Sequence, residues 1–277
     1  MSFEIDDLTS VIAHWNVSDV TGLSDGDYCD SLPDSISSWD LDASAEEDMP
    51  VYRSSSSINS KPALEFDGYY AWLQTASKTI SGVDNCSWAA VFRKGSVKSY
   101  NPLFHLNKSS GLPTYNSTNM VIEGQGYASG LVLLGHRDTT TTYGYMQSAT
   151  GAFSASTSYI FSAIHGKGMV GFRKNGTYAT HTGASSTTVS YANPNATVYA
   201  SWGASSLGNF EGLLAELVFW DETELNEHYW IEGVLADEYN ISLPSWHPFS
   251  SAAPTSAPGS GSGGIQIARG MHGGMRG

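Results

Sequence analysis

The chain has 277 residues, a formal net charge of −14 and only 14% charged residues, with Ser, Thr, Gly, Asn and aromatics abundant. An acidic surface repels phosphate backbones and anionic headgroups, so no nucleic-acid partner is expected, and no apolar run reaches membrane-spanning length, so no membrane insertion is expected either. The composition favours many short strands over long exposed helices and points to an all-β class.

The opening "MSFEIDDLTS" has neither the cationic flank nor the apolar stretch of a secretion signal, which predicts synthesis in the cytosol. Its Glu4 and Asp6 are the one near match to the paired acids of a glycosidase strand, but the second Glu is missing. The expectation is a solvated acidic terminus, no catalytic residue and no enzymatic activity. "SDGDYCD" gathers Asp25, Asp27 and Asp30, and clustered carboxylates can bind Ca²⁺. Their spacing departs from known calcium loops, so a solvated turn is expected, with no metal and no cofactor. The two cysteines, Cys29 and Cys86, are too few for a disulfide scaffold, and the sequence leaves open whether they pair.

From Val11 past Trp220 the chain alternates with a two-residue period between Gly, Asn, Asp and Ser clusters. "SWAAVFRK", "NPLFHLN", "LVLLGHR", "YIFSAIHG", "MVGFRKNGTYATH" and "TVYASWG" are the clearest predicted strands. Within "MVGFRKNGTYAT", Asn175 and Gly176 suit a type I′ hairpin turn. Trp15, Trp39, Trp88 and Trp202 read as core. Phe219 and Trp220 are neighbours on one strand, so they must face opposite ways, one of them beneath a helix. "HGKG" lacks the remaining residues of a phosphate-binding loop, no Gly-x-Ser-x-Gly elbow occurs, and the eight histidines lack metal-ligand spacing.

In "ELNEHYWIEGVLADEY", Ile231, Val234, Leu235 and Tyr239 recur at three- and four-residue steps, which predicts an amphipathic helix with Asn226 as its N-cap. "ISLPSWHPF" follows as an irregular segment whose Trp246 and Phe249 can pack back onto the sheet. "SSAAPTSAPGSGSGG" has linker composition. The final "IQIARGMHGGMRG" alternates Ile265, Ile267, Arg269 and Met271, continues through Met275 and Arg276, and cannot order itself. It reads as an extended docking peptide.

"PALEFDGYYAWL" and "FEGLLAELVFWDETELNEHYWIEGVLADEYNISLPSWHPF" resemble the concanavalin A-like lectin/glucanase sandwich of the laminin G-like type. Phe66, Asp67 and Gly68 match its early turn, Ala215 and Glu216 its closing strand, and Glu232, Gly233 and Leu235 its helix. "SISSWDLDAS" resembles its opening segment, so the likeness runs over residues 11–249. The helix followed by Leu-Pro-x-x-His-Pro is similar to domains of bacterial and bacteriophage surface proteins. The resemblance implies a concanavalin A-like jelly-roll β-sandwich over residues 1–249 with one short C-terminal amphipathic helix; composition and alternation add a linker at 250–264 and a docking peptide at 265–277.

Sugar-binding sandwiches stack loop aromatics on pyranose rings beside polar groups. Two stretches qualify: Tyr69 and Tyr70 after the Phe-Asp-Gly turn, and "HRDTTTTYGY" with Arg137, Asp138, Tyr143 and Tyr145. The expected function is a non-enzymatic virion protein, a capsid decoration or head fibre on the virion surface. Its tail would dock on the major capsid protein or another virion scaffold, as a homo-oligomer or multicopy array, and its head would bind a host-surface glycan. The alternatives are a tail adhesin and a free-standing carbohydrate-binding module or bacterial adhesin, with a degenerate glucanase third.

Overall fold

A computed structural model describes residues 4–76, 78–79, 86–95, 103–107, 120–122, 132–137, 143–148, 153–166, 169–178, 181–184, 195–201, 209–221 and 225–256. In chain order the strands begin with β1 (Val11–Asn16), β2 (Ser31–Leu32), β3 (Leu41–Asp42), β4 (Val51–Arg53), β5 (Ala63–Asp67) and β6 (Leu73–Gln74). Next come β7 (Lys78–Thr79), β8 (Cys86–Lys94), β9 (Phe104–Asn107), β10 (Met120–Ile122), β11 (Val132–Arg137) and β12 (Tyr143–Ser148). The last are β13 (Ser158–Gly166), β14 (Met169–Lys174), β15 (Thr177–Tyr178), β16 (His181–Ala184), β17 (Asn195–Ala200) and β18 (Glu211–Trp220), followed by the helix α1 (Leu225–Glu238).

An eight-stranded sheet runs β15-β14-β13-β8-β18-β5-β4, with β1 also on β18. One edge of β18 is shared, because residues 211–214 pair with β5 and residues 216–220 with β1, while β8 takes the other edge. A six-stranded sheet, β2-β3-β6-β17-β7 with β9 on β17, supplies the second layer, and β10-β11-β12-β16 form a third sheet. Trp15, Trp88, Phe92, Phe161, Leu217 and Phe219 from the first sheet meet Leu32, Leu41, Leu73, Phe104 and Val198 from the second in one buried core. Each such large side chain contributes about 1.5–3 kcal/mol by leaving water. The result is the expected all-β sandwich with one helix.

Local chemistry explains the details. Asn175 (φ 46°) and Gly176 (φ 76°) form the predicted turn, closed by the Lys174–Thr177 pair. Phe219 lies in the sandwich core, whereas Trp220 joins Trp230, Ile231 and Leu235 under α1. The helix starts at Leu225, so Asn226 is not its N-cap but a residue of its first turn.

The wet face of α1 is narrow, carried by Asn226, Glu227, Asp237 and Glu238. Tyr229, Trp230, Glu232 and Ala236 are buried along with Ile231 and Leu235, because the segment after the helix folds back over it. Phe249 packs on the helix: a Cβ on Gly233 would come within 2.7 Å of it. That contact explains a mid-helix glycine, which otherwise costs about 1 kcal/mol relative to alanine. Trp246 stays 55% exposed, edge-on to Tyr229. The chain remains packed past residue 249, since Pro254 is buried and Trp230 Nε1 donates to Ser256 O (2.7 Å).

The outer face of the eight-stranded sheet carries one continuous row of register partners: His14, Val218, Ala89, Ser162, Arg173 and Tyr178. Ionic clusters occupy both flanks of this row. On one, His14 Nδ1 meets Asp6 Oδ1 at 2.5 Å and Nε2 meets Glu216 Oε1 at 2.7 Å. Burial alone would depress the imidazole pKa, but hydrogen bonds with Asp6 and Glu216 outweigh it and raise it to about 10. The acidic terminus is therefore not merely solvated: Ile5 is 2% exposed and anchors a short turn that brings Asp6 to His14. On the other flank, Glu232 accepts from Arg173 Nε (2.8 Å), Arg173 Nη2 (2.9 Å) and Ser162 Oγ (2.6 Å), with His247 Nε2 at 3.1 Å. The Glu-Gly-x-Leu of the helix is thus a structural clasp.

Candidate functional site

Away from the helix, the same sheet face is open. Val51, Glu65, Leu213, Arg93 and Ser158 form a second row of register partners. Strand alternation puts Arg93 on the side of Val91 and Ala89, which underlie α1, so its side chain belongs to the outer face. A cleft of about 420 Å³ opens here, lined among others by Arg53, Ser57, Glu65, Arg93, Lys94 and Glu211.

The cleft is polar and internally braced. Arg53 Nε pairs with Glu65 Oε2 at 2.6 Å, and its Nη1 lies 3.9 Å from Asp25 Oδ2. Arg93 Nη1 donates to Ser57 O at 2.9 Å. Lys94 is 1% exposed, and burial depresses its ammonium pKa. Glu65 faces Leu213, and Glu211 faces Asp67, which sets the two glutamates on diagonal positions with Cα atoms about 7–8 Å apart.

Beside the cleft, β5 ends in the Phe66-Asp67-Gly68 turn. Phe66 is buried edge-on against Phe210 and fixes the strand end. Asp67 Oδ1 then accepts three backbone N–H groups, from Tyr69 (2.8 Å), Tyr70 (2.9 Å) and Ala71 (3.1 Å). Gly68 takes φ 77°, a conformation a larger residue resists. Asn209 closes the loop from the far side, its N–H donating to Gly68 O and its Nδ2 to Tyr69 O. Held this way, Tyr69 and Tyr70 are each 66% exposed, with ring centroids 6.5 Å apart. Pre-set aromatic faces beside hydroxyl, carboxylate and guanidinium groups are what binding a sugar ring requires.

The other predicted group lies elsewhere. Arg137 ends β11 as the register partner of Tyr143, and Tyr145 pairs with Gly135, while Asp138 lies outside the described residues. This hairpin rests against β14, which is four strand spacings from β5, about 19 Å. The structure therefore does not unite the two groups in one site. Ile265, Ile267, Arg269, Met271, Met275 and Arg276 also lie outside the described residues. Of the acidic turn, Asp25 accepts from Ser54 N–H and Asp27 from Ser24 N–H. Cys29 is a buried free thiol that donates to Ser31 O, and burial raises its pKa to about 11.

Sequence reasoning missed Arg53, Glu65, Arg93 and Glu211. The available signal was a charge at the outward position of an otherwise apolar strand, as in "ALEFD" and "AAVFRK".

No family model and no curated protein matches the chain, so laminin G-like affiliation stays a resemblance. Solved structures do match. One is domain 4 of an extracellular GH43 arabinanase from Geobacillus stearothermophilus, in complex with arabinotriose, at TM-score 0.54 and 12% identity over 76% of this chain and 92% of that one. A second is the full-length tailspike protein 2 of an Escherichia coli O157:H7 bacteriophage, at TM-score 0.51 and 13% identity over 83% of this chain and 30% of that one. The enzymatically active domain of bacteriophage CBA120 tailspike protein 2 matches likewise, at TM-score 0.51 and 13% identity over 83% and 33%. The chain spans about a third of the tailspike chains it matches.

These likenesses establish the fold, a β-sandwich found within carbohydrate-active proteins. They also correct the expectation that the chain is not an enzyme. That expectation rested on the lone Glu4–Asp6 pair at the terminus, whereas this sandwich occurs in an arabinanase and in a tailspike's enzymatically active domain. Glu65 and Glu211 are glutamates that line the cleft.

Proposed function

We propose that the chain is a glycan-binding sandwich of a bacteriophage particle, with saccharide stacked on Tyr69 and Tyr70 and reaching into the cleft between Arg53 and Arg93. The observation that carries this reading is the exposed tyrosine pair on an Asp67-braced loop beside a polar cleft of about 420 Å³. The fold shared with a domain complexed to arabinotriose and with phage tailspikes supports it. Residues 265–277 would anchor the sandwich to a virion scaffold, the major capsid protein or a tail component, and many copies on one particle would turn weak contacts into firm adhesion.

The test is a glycan array followed by calorimetry on the full chain. Tyr69→Ala/Tyr70→Ala should weaken the selected glycan at least tenfold while leaving the melting temperature in place. A blank array, or unchanged affinity in the double variant, contradicts the reading. Removing residues 265–277 should abolish incorporation into particles, and normal incorporation would place the anchor elsewhere.

A second reading, cleavage of the bound saccharide, is favoured by the diagonal placement of Glu65 and Glu211. Inverting glycosidases set their two carboxyl groups about 6.5–9.5 Å apart, and diagonal strand positions, whose Cα atoms are about 7–8 Å apart, can present such a pair. Release of new reducing ends by the wild type, lost in Glu65→Gln, would establish it.

A further inference from the structure

We infer that the saccharide taken by this cleft is acidic, with its carboxylate held by the Arg93 guanidinium. The inference rests on the cleft being the glycan site and specifies what that glycan carries.

Three arginine side chains are described, and two already have carboxylates. Arg173 is held by Glu232 at 2.8 Å, and Arg53 by Glu65 at 2.6 Å with Asp25 beyond. Among the described residues, Arg93 has no carboxylate within ion-pair distance, and its side chain makes one hydrogen bond, from Nη1 to Ser57 O. A guanidinium presents five N–H donors in a planar fork suited to bidentate carboxylate binding, so most of its capacity is unused. In a chain of net charge −14, a cation left without a carboxylate in a cleft is the exception that needs a reason.

The setting keeps the charge available. The Ser57 carbonyl tethers one nitrogen and limits the rotamers lost when a ligand binds. Glu65, two strands away across Leu213, is engaged by Arg53 and does not cancel Arg93. Glu211 lies toward Gly95, where its Cγ would stand 3.0 Å from an added Cβ. The acidic surface beyond does not overrule this arrangement, since at physiological salt charges more than about 8 Å away are largely screened. Tyr69 and Tyr70, on the turn that follows the cleft-lining Glu65 and Phe66, would take the ring, and Arg93 the acid group.

The experiment uses the full chain on an array of glycans in matched pairs, each uronate- or sialate-containing glycan beside its carboxyl-reduced counterpart. The acidic member of a bound pair should bind at least tenfold more tightly, Arg93→Gln should bring the pair within about twofold, and Arg93→Lys should keep part of the preference. Tyr69→Ala/Tyr70→Ala should weaken both members alike. Neutral glycans binding as tightly as acidic ones, or a preference that survives Arg93→Gln in a variant of unchanged melting temperature, overturns the acidic assignment and leaves the site standing. An array blank for both members overturns the assignment and the site together.

Discussion

The two ends of one sheet face carry similar residue types and treat them in opposite ways. Under α1, arginine, histidine and glutamate are sealed: Arg173, Glu232 and His247 are each at most 2% exposed and bonded to one another. Four residues farther along β8, at Arg93, the face is uncovered and the charges border a cleft. Burial beside an opposite charge makes a polar group structural, because removing either partner strands a charge without water. Exposure with spare bonding capacity makes it available to a ligand. The open end, not the more elaborate ionic clusters, is where function is to be sought.

Breaking the sealed end should have the largest effect. Glu232→Ala leaves the Arg173 guanidinium buried without its carboxylate and should cost about 3–5 kcal/mol, read as a lower denaturant midpoint with an unchanged slope. A loss below about 1 kcal/mol would mean that water reaches the clasp.

The pH profile comes next, and the two flanks of the helix should fail in opposite directions. His14 has a folded pKa of about 10, above its ordinary 6.5, so its contribution is complete below pH 6.5 and disappears as pH rises toward 10. A tenfold change in proton affinity is worth about 1.36 kcal/mol, so the loss should be on the order of a few kcal/mol. His228, buried and pushed down to about 4, contributes above pH 6.5 and loses that contribution as pH falls toward 4. Burial would raise the pKa of Glu232, but hydrogen bonds from His247, Arg173 and Ser162 hold it below 4.5, so its contribution fades at still lower pH. Melting temperatures between pH 4 and 10.5 should form a dome, and His14→Gln should flatten its alkaline limb.

Asp67→Ala should have a smaller effect on stability, about 1 kcal/mol, because three N–H groups at the surface exchange one acceptor for water. Its effect on glycan affinity should be larger than its effect on melting, since the tyrosines lose their fixed placement; Asp67→Asn, which keeps an acceptor oxygen, should retain more of both. The smallest stability changes, within about 0.5 kcal/mol, belong to Tyr69→Ala/Tyr70→Ala and Arg93→Gln, whose consequence should be confined to binding.

The strands were legible because their alternation survives in the folded chain, and the Asn175–Gly176 turn because few residue pairs accept positive φ at both positions. Tyr69 and Tyr70 could be singled out from their place after a Phe-Asp-Gly turn. The partners across the cleft could not, because Arg53, Glu65, Arg93 and Glu211 come from four strands whose pairing is set by long-range register. The clasp at Glu232 was hidden for a related reason. A buried charge reads as a surface charge until its partner, 59 residues away, is known. The cover over part of the helix was hidden because nothing local to it announces that Phe249 will fold back onto Gly233 and Ser256 onto Trp230.

The most direct measurement is a crystal structure of the full chain soaked with the highest-affinity glycan from the array. The expected result is a sugar ring against Tyr69 and Tyr70 with its carboxylate on Arg93. Density for the glycan at the β11–β12 hairpin or over α1, with the tyrosine loop and cleft unoccupied, would contradict it.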